Sequence, residues 1–135
     1  MNTSRAVILA GGKGLRMRSD QPKVLHKICG EALISMVLSA IESSSITDPT
    51  ITVVPRNQSA IYDTAYQRTE FAVQKEAKGS GHALLQAKNK VGDSRNIVVL
   101  NGDVPFVSHK TINRLIRAHQ ENNAHITLLT STLVS

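Results

Sequence analysis

Short apolar runs alternate along this chain with stretches in which apolar residues fall three or four apart, a pattern that predicts strands separated by helices. Arg5-Ala6-Val7-Ile8-Leu9 is short and apolar enough to be a parallel strand buried on both faces. Ala32, Leu33, Met36, Val37, Ala40 and Ile41 share one helical face, predicting a helix over 32–41 that the serines at 43–45 end. Further strands are expected over 51–54, stopped by Pro55, and over 70–74, 96–100 and, in a β-rich tail, 125–134. Helices are expected over 58–67, 81–90 and 111–120. The alternation predicts an α/β fold, a mostly parallel sheet with helices on both faces. With no internal repeat, low-complexity tract or linker, residues 1–135 read as one domain.

The first strand runs into Ala10-Gly11-Gly12-Lys13-Gly14-Leu15-Arg16-Met17-Arg18-Ser19-Asp20-Gln21-Pro22-Lys23. Glycines there let backbone N–H groups approach an anion closely, and four cations in eleven residues, Lys13, Arg16, Arg18 and Lys23, face only Asp20. The loop has the makings of a phosphate cradle, but not of the two commonest kinds. A P-loop needs Lys-Ser or Lys-Thr where Leu15-Arg16 stands, and a dinucleotide fingerprint needs a small third residue where Met17 stands. What remains is a small-residue loop, an Arg, and a Pro-Lys pair in which Pro22 keeps Gln21 extended and so aims Lys23.

Composition narrows the partner. With 41% hydrophobic and 19% charged residues the chain has enough apolar material for one core, and with 3% aromatics and no Trp that core must be aliphatic. A formal charge of +6 favours a polyanion. Nucleic acid is disfavoured, because so few aromatics leave little on which single-stranded bases can stack. Cys29 stands alone, excluding an intrachain disulfide and a cysteine zinc cage. The N-terminal apolar run is broken by glycines and no cleavage pattern follows, so the cytoplasm is the expected compartment and no membrane partner is expected.

Three strings in order then carry a resemblance. They are Leu9 to Met17 with Ser19 and Pro22-Lys23-Val24-Leu25-His26; Val73-Gln74-Lys75-Glu76-Ala77-Lys78-Gly79-Ser80-Gly81-His82-Ala83; and Val98-Val99-Leu100-Asn101-Gly102-Asp103-Val104-Pro105. Together they resemble the nucleotidyltransferase family of sugar-nucleotide synthesis, most closely the N-terminal half of the uridyltransferase domain of bacterial N-acetylglucosamine-1-phosphate uridyltransferases. The resemblance implies a Rossmann-like fold of the nucleotide-diphospho-sugar transferase type, truncated here to its NTP-binding part. It implies that Arg16 and Lys23 are the catalytic cations on the phosphates. Leu9, Ala10, Gly12 and Gly14 would contact the nucleotide through the loop, while Gln74, Gly79 and Ser80 would read its base, and a Gln amide suits the imide of uracil. Asp103, at the end of a strand, would be a ligand of Mg²⁺. His26 and His82 match family histidines without a catalytic partner, and a structural role is expected of both.

Departures from the family pattern are as informative. Leu15 stands where a hydroxyl is usual, Ala77 where a base-contacting Gln is frequent, and Asn101 where an aromatic is frequent. The resemblance also places the sugar-contacting residues and a second metal ligand beyond Ser135. Two function classes follow. One is a nucleotidyltransferase for UTP and a sugar 1-phosphate, completed by self-association or a complementing subunit; the other is a non-catalytic nucleotide-binding remnant or regulatory subunit. An exposed sheet edge would favour a homodimer.

Overall fold

The computed structural model describes residues 3–12 and 18–132. Four parallel strands, β1 (Ser4–Leu9), β4 (Ile51–Pro55), β5 (Glu70–Gln74) and β6 (Asn96–Asn101), form one sheet in the order β5-β4-β1-β6. The register sets Leu9 beside both Val53 and Asn101, and Pro55 beside Gln74, so the carboxyl ends of the strands lie along one rim. From β1 the chain steps outward through β4 to β5, then crosses back over β4 and β1 to add β6 on the far side of β1.

That reversal distributes the helices. Right-handed crossovers made in one direction place their helices on one face, and a crossover in the other direction uses the opposite face. Accordingly α1 (Leu33–Glu42), α2 (Ser59–Ala65) and α5 (His109–Glu121) cover one side, where Ile34, Leu38, Ile61 and Ile112 pack on Ile8, Val54 and Val98. On the other side α3 (Ser80–Gln86) and α4 (Lys88–Val91) set Ala83, Ala87 and Val91 against Val7, Ile51 and Val53. Both clusters are aliphatic at their centres, as the scarcity of aromatics requires; Tyr62 and Phe71 meet at the margin, tilted by 50°, with ring centroids 4.5 Å apart.

Several elements differ from the pattern-based expectation. The helix expected over 81–90 is two pieces: at Ala87 the N–H donates to Leu84 O, a tighter three-residue step that breaks the regular ladder. A small hairpin, β2 (Lys27–Ile28) and β3 (Glu31–Ala32), precedes α1 and turns at Cys29 and Gly30, with φ of 51° and 86°. Such two-residue turns need positive φ at both central positions. Two-residue strands leave no period to detect, which is why this hairpin escapes a pattern search.

The expected fifth strand is a correction: residues 125–132 form no strand. Their sequence is β-prone, but a strand exists only through its ladder, and among the described residues these join none. They run instead beside β6 and α5 along a groove of about 670 Å³, tied by a contact of 2.9 Å between His119 Nδ1 and Thr127 Oγ1. Ile126, Leu128 and Leu129 are left exposed.

Polar ties fix the sheet end opposite the site. Arg5, on β1, donates to Pro49 O at 2.8 Å and Glu70 Oε1 at 2.9 Å and also reaches Lys90 O, joining the loop before β4, the start of β5 and α4 (Lys88–Val91). Arg68 grips both oxygens of Glu42 at 2.9 Å, linking α1 to the turn before β5. The hydrogen bonds from Arg68 hold the Glu42 carboxyl below the usual carboxylate range.

Candidate nucleotide site

At the carboxyl rim, β1, β5 and β6 deliver three segments to one cleft of about 380 Å³. In open α/β sheets ligands sit beyond these ends, where the strand order reverses. Leu9 closes β1, and the Ala10 N–H, by donating to Val53 O at 2.8 Å, holds the chain in the sheet for one more residue. Gly11 and Gly12 then border the cleft.

Gln74 ends β5 and is 6% exposed, its side chain turned into the cleft wall. Its Nε2 donates to Gly79 O at 3.3 Å and lies 3.1 Å from His82 Nδ1. Gly79 has φ of +91°, a conformation that favours glycine, and from it the chain turns into α3, whose first residue is Ser80. Both residues line the cleft.

Asp103 arrives from β6. The Gly102 N–H donates to Leu9 O at 3.0 Å, drawing the end of β6 against the end of β1. A Cβ at Gly102 would stand 3.0 Å from Val24 Cγ1 and 3.3 Å from Leu9 O, a tight fit that its neighbours would have to give way to accept. Lys23 opens a single 3₁₀ turn, Lys23–Leu25, anchored by buried Val24 and Leu25. Pro22 before it is extended, with ψ of 135°. The Lys23 ammonium forms an ion pair with Asp103 Oδ2 across the cleft.

Of the residues singled out from sequence, Leu9, Gly12, Lys23, Gln74, Gly79, Ser80 and Asp103 all line this cleft. Ala10 does not; it is 2% exposed and its N–H is spent on the sheet. Gly14 and Arg16 lie outside the described residues, as do Lys13 and Leu15. Sequence reasoning passed over Gly11, whose missing Cβ would lie 2.7 Å from Gln74 Oε1. It also gave His82 no partner, although His82 touches Gln74. The spacing of eight residues, from a strand end to the first turn of the next helix, was the available signal.

The cleft brings together a cation, a carboxylate, an amide and close-approaching backbone. Such a set is suited to neutralising and orienting a charged ligand, and among the described residues it contains no activated nucleophile. For a metal, Asp103 offers a hard oxygen at the mouth, but among the described residues no group of three His, Cys, Asp or Glu side chains could hold an ion. One carboxylate fits a hard cation only where oxygens from outside the protein fill its remaining positions.

Comparison with known proteins agrees with this geometry. Residues 6–132 match the model of the MobA-like NTP transferase domain. The chain is 37% identical over 127 residues to the bifunctional protein GlmU of Clostridioides difficile (strain 630), covering 94% of this chain and 28% of that one. To GlmU of Desulfitobacterium hafniense (strain Y51) it is 41% identical over 126 residues, covering 93% and 28%. The chain thus spans under a third of the length of these relatives. Among solved structures, Rv0371c of Mycobacterium tuberculosis H37Rv superposes with a TM-score of 0.75 at 24% identity, covering 89% of this chain and 62% of that one. A manganese complex of that protein aligns with a TM-score of 0.71 at 23% identity, covering 88% and 60%. At these identities the structures speak to fold alone, a mostly parallel sheet with helices on both faces. With the family model spanning nearly its whole length, this chain belongs to the MobA-like NTP transferase family.

Proposed function

We propose that the cleft binds a nucleoside triphosphate, UTP by preference, and that the chain takes part in transfer of a uridylyl group to a sugar 1-phosphate, N-acetylglucosamine 1-phosphate being the acceptor its GlmU relatives suggest. The observation that carries this reading is the convergence of Lys23, Gln74, Gly79, Ser80 and Asp103, distant in sequence, on one cleft at the carboxyl rim. In the reaction a phosphate oxygen of the sugar 1-phosphate forms a bond to the α-phosphorus while the bond to the bridging oxygen breaks, and pyrophosphate leaves. Such a step asks for charge neutralisation and alignment more than for a protein nucleophile. Lys23, and Arg16 by its place in the motif, would neutralise the phosphates, the Arg with a planar fork and the Lys as a point charge. Gln74 would read the base and Asp103 would hold Mg²⁺. Magnesium, when bound, would screen the charge on the triphosphate.

A second reading is nucleotide binding without turnover. It is favoured by the lining of the cleft, in which Asp103 is the sole carboxylate among the described residues. The two separate in one experiment: calorimetry of the purified protein with UTP and Mg²⁺, followed by pyrophosphate release with N-acetylglucosamine 1-phosphate. Turnover lost in Asp103→Asn selects the enzyme, binding alone selects the nucleotide-binding unit, and no binding overturns both. In either case Arg16→Ala is expected to weaken UTP binding by about 1.5 to 3 kcal/mol, the worth of a hydrogen bond to a charged group, and to leave uridine unaffected. Among the described residues no helix is long and apolar enough to cross a membrane. Self-association, or a complementing subunit, is supported by the exposed Ile97 and Val99 on edge strand β6, and sedimentation velocity over a concentration series reads it.

A further inference from the structure

We infer that His82 is a positioning residue that fixes the Gln74 amide with its oxygen toward the nucleotide, so that the cleft accepts a base N–H and thereby favours an imide base such as uracil. The inference rests on the proposed role of Gln74 as base reader. Three atoms decide the orientation. A backbone carbonyl can only accept, so the amide end 3.3 Å from Gly79 O must be the NH₂. That same nitrogen lies 3.1 Å from His82 Nδ1, which must therefore also accept. A neutral imidazole with a bare Nδ1 carries its proton on Nε2. With both amide hydrogens engaged, Oε1 remains. It points to Gly11, 2.7 Å from where a Cβ there would stand, and no hydrogen bond reaches it among the described residues.

The far side of the ring tests this assignment. Gln86 Nε2 lies 3.4 Å from His82 Nε2 and 3.1 Å from His82 O. The carbonyl fixes this second amide with its NH₂ inward, so both ring nitrogens face donors while a neutral ring offers one acceptor. The shorter contact, to Gln74, takes the lone pair; the one at 3.4 Å is a van der Waals contact, at the limit of hydrogen-bond distance.

The chemistry of the ligand follows. Uracil presents an N–H at N3, which an amide oxygen accepts; cytosine presents a bare nitrogen there, which the same oxygen repels. Losing His82 leaves the amide held only by its longer bond to Gly79 O, free to turn and offer either end.

Two measurements on the full chain decide the matter. Nitrogen-15 correlation spectra of the histidine rings report the tautomer without any nucleotide: a proton on Nε2 of His82 is expected, and a proton on Nδ1 would overturn the assignment. Calorimetry with UTP and CTP then gives the selectivity. His82→Leu is expected to cut the UTP-over-CTP ratio by about tenfold, the worth of one hydrogen bond, with inorganic triphosphate bound as before. His82→Asn, which keeps an acceptor near the Nδ1 position, is expected to restore most of it. An unchanged ratio in a folded His82→Leu protein would sink the inference while leaving UTP binding intact, whereas absence of UTP binding by the wild-type chain would instead refute the proposed function.

Discussion

At the scale of single residues the site depends on atoms that are absent as much as on those present. Gly11 leaves the space into which Gln74 Oε1 projects, 2.7 Å from the missing Cβ. Gly11→Ala must therefore move the amide, a flexible side-chain end, rather than the backbone. Stability read by thermal unfolding is expected to fall by about 1 to 3 kcal/mol, the worth of the two hydrogen bonds that hold the amide. Selectivity between UTP and CTP is expected to collapse; retention of selectivity alongside a larger loss of stability would place the clash elsewhere. Sequence marked the loop as a cradle but could not tell which glycine answers to which neighbour, because that neighbour, Gln74, lies 63 positions away (74 − 11) on another strand. Lys23 and Asp103 were legible one by one from their motifs. Their pairing was not, since nothing in either string refers to the other.

Among elements, β6 shows where pattern reading reaches its limit. A run of apolar residues from Ile97 to Leu100 suggests a strand covered on both sides, yet Val98 is 6% exposed and Val99 is 42% exposed. One face meets α5 and the main core, while the other lies at the sheet margin beyond the reach of α3 and α4. Val98→Ala is accordingly expected to cost about 1.5 to 3 kcal/mol, from lost burial and an unfilled cavity. Val99→Thr, on the open face, is expected to stay within about 0.5 kcal/mol. Urea denaturation of the two variants decides, and equal losses would mean that the second face is covered in solution. Strand positions were legible because four apolar runs were bounded by Pro, Gly and polar turns. The tail at 125–132 was misread because β propensity describes a residue's comfort on a pleated surface and says nothing of whether a neighbouring strand is there to complete the ladder.

Considered whole, the molecule is a sheet whose two ends do different work. One is stapled by Arg5 to the loop before β4, to β5 and to α4; the other is left open to a ligand, with its polar groups gathered from strands far apart in sequence. The alternation of elements made the parallel sheet and its two helical layers legible, whereas the order of strands, on which the location of the cleft depends, emerged only in the folded chain. Equally unreadable was the internal state of the cleft, where Lys23 already satisfies Asp103. While that ion pair stands, each partner cancels what the other would offer, so the resting cleft withholds its cation from a phosphate and its carboxylate from a metal. Either visitor must first divorce the pair, and whichever arrives leaves the remaining partner free for the next, which makes the two ligands mutually reinforcing by linkage. Breaking the pair by mutation should then help one visitor alone. Asp103→Asn is expected to strengthen metal-free UTP binding up to about fivefold, the scale of a partly exposed ion pair, while abolishing the gain from Mg²⁺. Lys23→Met is expected to do the reverse, tightening Mn²⁺ held without nucleotide, as read from the paramagnetic signal of the free ion, and weakening UTP. If both substitutions weaken both ligands, the pair is a scaffold; if each improves one, this cleft is guarded by its own counter-ions.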